Sequence, residues 1–133
     1  VKQHRTKTTN RYFNYIYVRM GAHTLIHKRT EDDIWKNLFE LPLVETEKDL
    51  SEEEFLACPQ FHALFAEGEV RMVRTLLRGV KHVLSHRVIY TNFYEVTLPD
   101  NSSSFSSYQR VAVEDLGRYA VPRLIHAFLE KYV

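Results

Sequence analysis

The sequence predicts an α+β fold in which helices flank a mixed β-sheet. Two runs rich in aromatic and β-branched residues, at 12–20 and 88–98, have the composition of β-strands. Between and after them lie two helix signals, a capping sequence at 51–54 and a proline-led segment at 121–132. The length of 133 residues fits a single domain that can bury a substantial core.

The beginning of the chain predicts a short linker followed by a β-hairpin. Residues 1–11 are polar and partly threonine-rich, so we expect a linker or a frayed end there and one domain over 12–133. The first strand, at 12–20, ends at Gly21-Ala22, a pair suited to a turn. The alternating segment 23–29 would then return as the second strand of the hairpin.

The middle of the chain predicts an irregular segment and a broken helix. A polar loop at 31–33 leads into 34–45, which is apolar without a clean period and contains a proline. Ser51 offers an N-cap, and Glu54 three residues later completes a capping box. Pro59 should divide the helix that follows into two pieces.

The second half of the chain predicts mainly strands and a closing helix. The helical pieces should end near Gly68. Residues 70–78 fit a helical period, but their β-branched composition and the strand-like sequence after them favour a strand. The remaining elements are a strand at 88–98, a turn-rich loop at 99–107, a short strand at 108–113 and a helical end at 114–132 with Pro122 in a first turn.

Composition and charge narrow the classes of function. Cys58 is the single cysteine, which excludes an internal disulfide and Cys–Cys metal motifs and fits a reducing cytoplasm. The sequence shows no signal peptide and no apolar run of membrane length. Its net charge of +1 hides an uneven distribution, with bases at 1–11 and 70–94 and acids at 45–54. Such asymmetry can steer a polyanion to one face, or it can reflect solvated faces of opposite sign.

The stretch KHVLSHRVIY, residues 81–90, raises three chemical possibilities. His82 and His86 could share a metal ion if they stood about 6 Å apart on a helix. On a strand they would be separated by about 13 Å, and no carboxylate or cysteine nearby completes a ligand set. Ser85 with a histidine could form a nucleophilic pair, but no Gly-x-Ser-x-Gly elbow is present. We therefore predict no metal and no catalytic residue here, which leaves a binding surface or an ordinary hairpin end.

The acidic segment 45–54 could hold Mg²⁺ or simply begin a solvated helix. The order of elements and the segment IWKNLFELP, residues 34–42, resemble Nudix hydrolases. The hydrolytic box of that family needs glycines at both ends and an Arg-Glu pair before its metal-binding glutamates. This chain has no glycine between Gly21 and Gly68 and no arginine between Arg29 and Arg71. The resemblance implies a Nudix-like mixed sheet flanked by helices; a Nudix-type nucleotide pyrophosphohydrolase is the alternative function.

Three segments resemble the C-terminal domain of MutY-type A/G-specific adenine DNA glycosylases. KHVLSHR, residues 81–87, is similar to that domain's basic-His-x-Phe-Ser-His loop, with leucine in place of phenylalanine. The end of the chain, residues 111–132, resembles its closing helix. The third segment, residues 27–45, lies before the other two and matches an Arg-Trp-Leu-Glu-Pro pattern through Arg29, Trp35, Leu38, Glu40 and Pro42. The resemblance as a whole extends from about residue 12 to residue 132.

This resemblance implies a function in base excision repair. The domain would recognise 8-oxoguanine opposite adenine in duplex DNA and would itself be non-catalytic. Catalysis would belong to an N-terminal domain of the same chain, which carries a 4Fe–4S cluster; no cofactor is expected in this domain. The expected partners are the duplex and that catalytic domain. We expect a monomer without membrane association, in the bacterial cytoplasm with the nucleoid.

The resemblance also assigns the site residues. Ser85 would read the lesion, since its hydroxyl can donate and accept, whereas 8-oxoguanine gains an N7–H donor and a C8 carbonyl. Leu84 would act as an apolar wedge, without the aromatic face of phenylalanine. A protein-interaction domain of Nudix ancestry is a third possibility. The residues expected to hold phosphates are Lys81, His82, His86 and Arg87.

Overall fold

The computed structural model describes residues 9–133, in which four strands, two short helices, three strands and two further helices follow one another. The strands are β1 (Thr9–Arg19), β2 (His23–Lys28), β3 (Phe39–Glu40), β4 (Leu43–Thr46), β5 (Met72–Leu84), β6 (Arg87–Thr97) and β7 (Gln109–Ala112). The helices are α1 (Glu52–Ala57), α2 (Pro59–His62), a 3₁₀ helix (Val113–Arg118) and α3 (Arg123–Tyr132).

The strands form two sheets. The larger has the order β4-β1-β6-β5, and the smaller has the order β3-β2-β7. In the larger sheet β1 runs parallel to β6, from the pair Thr9–Arg87 to the pair Arg19–Thr97, whereas β4 and β5 are antiparallel to their neighbours. The predicted α+β fold with a mixed sheet flanked by helices is therefore confirmed.

The larger sheet carries a hydrophobic core on each face, because side chains alternate along its strands. One core joins Phe13 and Phe93 of the sheet to Phe128 of α3, whose ring stacks on Phe93 at 4.2 Å. The other joins Tyr94 of the sheet to Phe55 of α1, with ring centroids 4.6 Å apart. The helices thus cover part of both sheet faces.

Several local predictions are confirmed. The Ser51 hydroxyl accepts from the Glu54 backbone at 3.1 Å, and the Glu54 carboxylate accepts from the Ser51 backbone at 2.9 Å, which completes the capping box. Pro59 separates α1 from α2. Residues 72–78 belong to strand β5 and not to a helix. These features depend on neighbouring residues only, so the sequence can specify them.

Other expectations need correction. After the Gly21-Ala22 turn, β2 does not continue a hairpin with β1; apart from the bridge Met20–His23, it pairs with β3 and β7 in the smaller sheet. The reason is burial on both sides, since Thr24, Leu25 and Ile26 are all buried. Pro122 is the N-cap of α3 and not part of its first turn, and residues 113–118 form a 3₁₀ helix.

The predicted linker over 1–11 falls mostly outside the described residues. Residues 1–8 lie there, while Thr9, Asn10 and Arg11 already belong to β1 and pair with the start of β6. The strand therefore starts three residues before the expected position. Strand formation here is driven by the neighbouring strand, which supplies hydrogen-bond partners to a stretch whose own composition is polar.

Strand β5 is irregular in its centre. Its register against β6 shifts twice between Thr75 and Val80. Gly79, in this stretch, has a φ of 69°, and its backbone N–H donates to the side-chain oxygen of Asn92 at 2.8 Å. The Gly79 donor is thus satisfied despite the irregularity, and a regular ladder resumes from Val80 to Leu84. Among residues 9–133, no helix combines the length and apolar character that crossing a bilayer requires.

Gly21 should be intolerant of a side chain. Its φ is 61°, and a Cβ at this position would lie 2.7 Å from a carboxylate oxygen of Asp100. Gly21→Ala should lower the free energy of unfolding by about 1–2 kcal/mol, because alanine is strained in this region of φ. Gly117→Ala is the control, since a Cβ at Gly117 meets nothing within 4 Å. Urea denaturation measures both variants; equal stabilities would contradict the assignment.

Candidate nucleic-acid interface

The predicted site residues lie together at the end of one β-hairpin. Ser85 and His86 form the two-residue turn that joins β5 to β6, and Leu84 pairs with Arg87 across it. The backbone N–H of Thr9, at the start of β1, donates to the carbonyl of His86 at 3.0 Å. Three strands therefore meet at this end of the sheet, and they hold the turn while the side chains of Ser85 and His86 remain exposed.

The hairpin presents different side chains on its two faces. Leu84 is half-buried and packs against the core on the α3 side of the sheet. His82 points the same way, with its ring 5.9 Å from that of Trp35. Lys81 and Val83 lie on the opposite face, where Val83 is 65% exposed. The residue expected to act as a wedge thus packs inward, and its neighbour is the exposed apolar residue.

Asp33 connects the hairpin to the rest of the domain. Its carboxylate accepts two hydrogen bonds from Arg11, both at 2.9 Å, one from Arg29 at 3.0 Å and one from Arg87 at 3.3 Å. The hydrogen bonds from Arg11 are the main cause that lowers the pKa of Asp33 from 3.8 to about 2. Arg87, predicted to hold phosphate, therefore also has a structural partner.

A second carboxylate, Glu40, is buried behind this group. It accepts from the Tyr15 hydroxyl at 2.7 Å and from Arg29 at 3.0 Å. Burial, together with the negative charge of Glu40, raises the pKa of Tyr15 well above its usual value. His27 Nε2 lies 2.9 Å from a carboxylate oxygen of Glu40, without hydrogen-bond geometry. Arg29 and Glu40, both matched in the sequence resemblance, thus hold each other.

The loop between these two carboxylates is fixed in an unusual conformation. Trp35 has a φ of 58°, a value rare for a bulky residue. The guanidinium of Arg29 donates to the carbonyl of Ile34 at 3.1 Å, and the Trp35 ring meets Phe13 edge-to-face at 6.0 Å. The contacts of Arg29 and Phe13 offset the backbone strain and keep Trp35 beneath the hairpin.

Ion pairing neutralises most of the basic stretch 70–94. Arg74 lies 2.6 Å from Glu95, and Arg78 lies 3.7 Å from Asp49. Within residues 9–133, Lys81 has no carboxylate within ion-pairing distance, and it is exposed. On the hairpin, the positive charge of Lys81 is therefore available to an anionic ligand. Arg87 could bind such a ligand only in competition with its contact to Asp33.

Four of the six acids in the segment 45–54 make contacts within the domain. Glu45 lies 2.7 Å from Arg11, and Asp49 accepts from Asn92 at 3.2 Å. Glu54 belongs to the capping box, and Glu52 contacts the hydroxyl of Thr75. In the part of the chain that the structure describes, no three His, Cys, Asp or Glu side chains are grouped as metal ligands.

Sequence reasoning missed two residues of this site. In the sequence Asp33 belongs to a polar loop, and its single available signal is an acid within reach of Arg29 at i, i+4. Val83 has no signal of its own, because leucine occupies the motif position next to it. Strand alternation indicates that the two residues face opposite ways, but only the core reveals which one faces inward.

Comparisons with known proteins agree with this architecture. The NUDIX domain model matches residues 14–131. No curated protein matches the chain. The fold is similar to the C-terminal domain of mouse MUTYH, solved with human PCNA, at a TM-score of 0.68 and 15% identity over 92% of this chain and 86% of that one. It is also similar to a MutT protein from Methanosarcina mazei Go1, at a TM-score of 0.60 and 17% identity over 93% of each chain.

The chain is a NUDIX domain and belongs to that family. Its architecture is shared by the C-terminal domain of a MutY-type protein and by MutT proteins. At these sequence identities, the structural likeness shows the fold, and the predicted Nudix-like scaffold is confirmed.

Asp33 should make stability depend on pH. Because folding lowers its pKa, its ion pairs stabilise the protein fully above about pH 4 and are lost as the pH falls through about 2. Asp33→Asn should lower the free energy of unfolding at pH 7 by about 1 kcal/mol, after allowance for solvent screening. The difference from wild type should shrink below pH 4. Urea denaturation across this pH range measures it.

Asp32→Asn is the matched control, because Asp32 is the exposed neighbouring carboxylate. It should leave stability nearly unchanged at every pH. A constant difference between wild type and Asp33→Asn from pH 7 to pH 2 would show that the carboxylate charge is not what stabilises the site.

Proposed function

We propose that this domain recognises 8-oxoguanine opposite adenine in duplex DNA, as the C-terminal domain of an A/G-specific adenine DNA glycosylase. The observation that carries the proposal is the position of Ser85 and His86 at an exposed two-residue turn, held on a rigid hairpin. A short turn of this kind can approach a base step, while the strands behind it fix its position.

The chemistry of the turn supports lesion recognition. The Ser85 hydroxyl can accept from the N7–H that distinguishes 8-oxoguanine from guanine, or donate to an oxygen of the lesion. His86 is exposed next to it in the turn, and Lys81 is exposed four residues earlier on β5; both can contact phosphates, which position the duplex without reading its sequence. An A·8-oxoguanine mispair costs less to open than a matched pair, which favours a probing turn.

The rest of the proposed assembly follows from the resemblance to MutY-type enzymes. Adenine removal would be performed by a catalytic domain on the same polypeptide, with its own 4Fe–4S cluster. This domain would contribute binding without a cofactor, as a monomer acting on chromosomal DNA. The similarity of fold to the mouse MUTYH C-terminal domain supports this assignment.

Nucleotide hydrolysis is the second candidate, favoured by membership of the NUDIX domain family and by the fold shared with MutT proteins. Against it, four of the six acids of 45–54 are held by other contacts: Glu45 and Asp49 in ion pairs, Glu54 in a helix cap and Glu52 by the hydroxyl of Thr75. Incubation with 8-oxo-dGTP and Mg²⁺, followed by chromatography, should give no nucleoside monophosphate. Robust turnover would overturn the lesion-recognition proposal.

Ser85 should determine preference for the lesion. Ser85→Ala removes one hydroxyl at an exposed turn, so folding should be unaffected. A neutral hydrogen bond contributes about 0.5–1.5 kcal/mol, so preference for A·8-oxoguanine over A·G duplexes should fall severalfold, to about tenfold at most. Fluorescence anisotropy with the two duplexes measures the ratio. Ser107→Ala, at an exposed serine of another loop, is the control; an unchanged ratio in Ser85→Ala would refute the assignment.

Lys81 should contribute to duplex affinity irrespective of the lesion. Lys81→Glu should weaken binding to every duplex and reduce the salt dependence by about one counterion per lost phosphate contact. Lys131→Glu makes the same charge change on α3 and should have a much smaller effect. Glu53→Lys, in the acidic segment, should not weaken binding. Equal losses in the two lysine variants would mean that only overall charge matters.

A further inference from the structure

We propose that Val83, and not Leu84, is the apolar side chain with which the hairpin contacts DNA. It belongs to an exposed strip of the larger sheet that we call the outer strip, formed by Tyr12, Lys81, Val83, Val88 and Tyr90. The inference deepens the proposed function and depends on it, since it names the contact surface beside the lesion-reading turn.

The strand register places these side chains on one face. Val83 pairs with Val88, and Lys81 pairs with Tyr90. Tyr90 in turn pairs with Tyr12 of β1, and the two rings stack with centroids 5.6 Å apart and an interplanar angle of 16°. Paired residues of neighbouring strands project to the same side of a sheet. The outer strip is therefore continuous across β1, β6 and the end of β5.

Leu84 and its partner face the other way. Leu84 packs on the core that contains Ile89, and Ile89 is fully buried. Arg87, opposite Leu84, reaches Asp33 on that same side. For Leu84 to insert its whole side chain into a base step, it would have to leave its packing contacts, which costs free energy. Val83 needs no such rearrangement, because it is already 65% exposed.

The outer strip lies at one end of the larger sheet, on the face that α1 covers farther along. Farther along the same face, Phe55 of α1 stacks on Tyr94 and belongs to the second core. Tyr12, Val83, Val88 and Tyr90 belong to neither core, and Tyr12, Val88 and Tyr90 are only partly buried. Apolar and aromatic side chains that pack in no core are typical of a surface that a partner covers.

Position, together with one available positive charge, favours DNA as that partner. Lys81 lies within the outer strip and has no carboxylate partner among residues 9–133, so its charge is available to a phosphate. Val83 is two residues from Ser85, so a duplex read by the turn lies next to it. A small apolar side chain beside a base-reading group can press on an opened base step, as wedge residues do in minor-groove binders.

The test compares two adjacent substitutions in the whole chain. Val83→Thr keeps the β-branched shape and replaces a methyl group with a hydroxyl, so it should weaken binding to an A·8-oxoguanine duplex about fourfold to tenfold. Its Tm should stay unchanged. Leu84→Ala should lower the Tm by several degrees and weaken binding less, when measured where the variant is still folded. Met72→Thr is the control, since Met72 is a 55% exposed apolar residue at the other end of β5.

The outcomes separate this inference from the proposed function. If wild type binds the duplex and Val83→Thr binds equally well, the inference is wrong while lesion recognition stands. The inference is also wrong if Leu84→Ala weakens binding more than Val83→Thr and leaves the Tm unchanged. If wild type binds no duplex at low salt, both proposals fail. Weaker binding in Val83→Thr alone, with Met72→Thr like wild type, supports the inference.

Discussion

The convergence of three guanidinium groups on the carboxylate of Asp33 holds the hairpin to the rest of the domain. Arg11 of strand β1, Arg29 just after β2 and Arg87 at the start of β6 each donate hydrogen bonds to this carboxylate. Each contact is charge-assisted, and the one with Arg11 is bidentate, a geometry that strengthens and orients the pair. Asp33 lies in the same loop as Trp35, whose ring meets that of His82 on the hairpin, so its contacts add to the strand pairing that positions the turn.

Pairing of charges also determines how much positive charge this nearly neutral domain has available to bind a polyanion. Arg74 and Arg78 are used within the structure, and their carboxylate partners come from β6 and from the acidic segment. Lys81 remains exposed on the hairpin, beside His86 in the turn. If the domain binds DNA as we propose, such a surface offers only a few phosphate contacts, so its attraction to DNA should be weak and should depend only modestly on salt. In the proposed function, the preference for 8-oxoguanine over guanine would then depend on the short-range contacts at the turn.

The sequence predicted those parts of the fold that depend on neighbouring residues. The capping box at Ser51, the break at Pro59 and the hairpin end near Ser85 all follow from local patterns. The parallel pairing of β1 with β6 and the departure of β2 into a second sheet depend on contacts between distant segments. The partners of Asp33 illustrate this limit, since Arg11 lies 22 residues before it and Arg87 lies 54 residues after it.

The candidate site was likewise predictable only in part. The resemblance to MutY-type enzymes singled out residues 81–87, and the structure brings those residues to one hairpin end. The role of each side chain within that stretch depends on which sheet face is covered. That information lies in α3 and in the loop containing Trp35, which meet the inward face. Alignment of the motif by residue type therefore indicates Leu84 as the apolar contact residue. The packing of the sheet instead leaves Val83 exposed for that role.

The parallel arrangement of β1 and β6 has a consequence for any larger protein that contains this domain. Because Thr9 bonds to the carbonyl of His86, polypeptide preceding Thr9 is attached at the same end of the sheet as the turn. In the glycosylase that we propose, the catalytic domain would therefore be tethered beside the lesion-reading tip. Engagement of one duplex by the second domain would then be intramolecular, at an effective concentration set by the length and stiffness of the connecting segment. A domain with little affinity of its own could still direct the enzyme to its substrate.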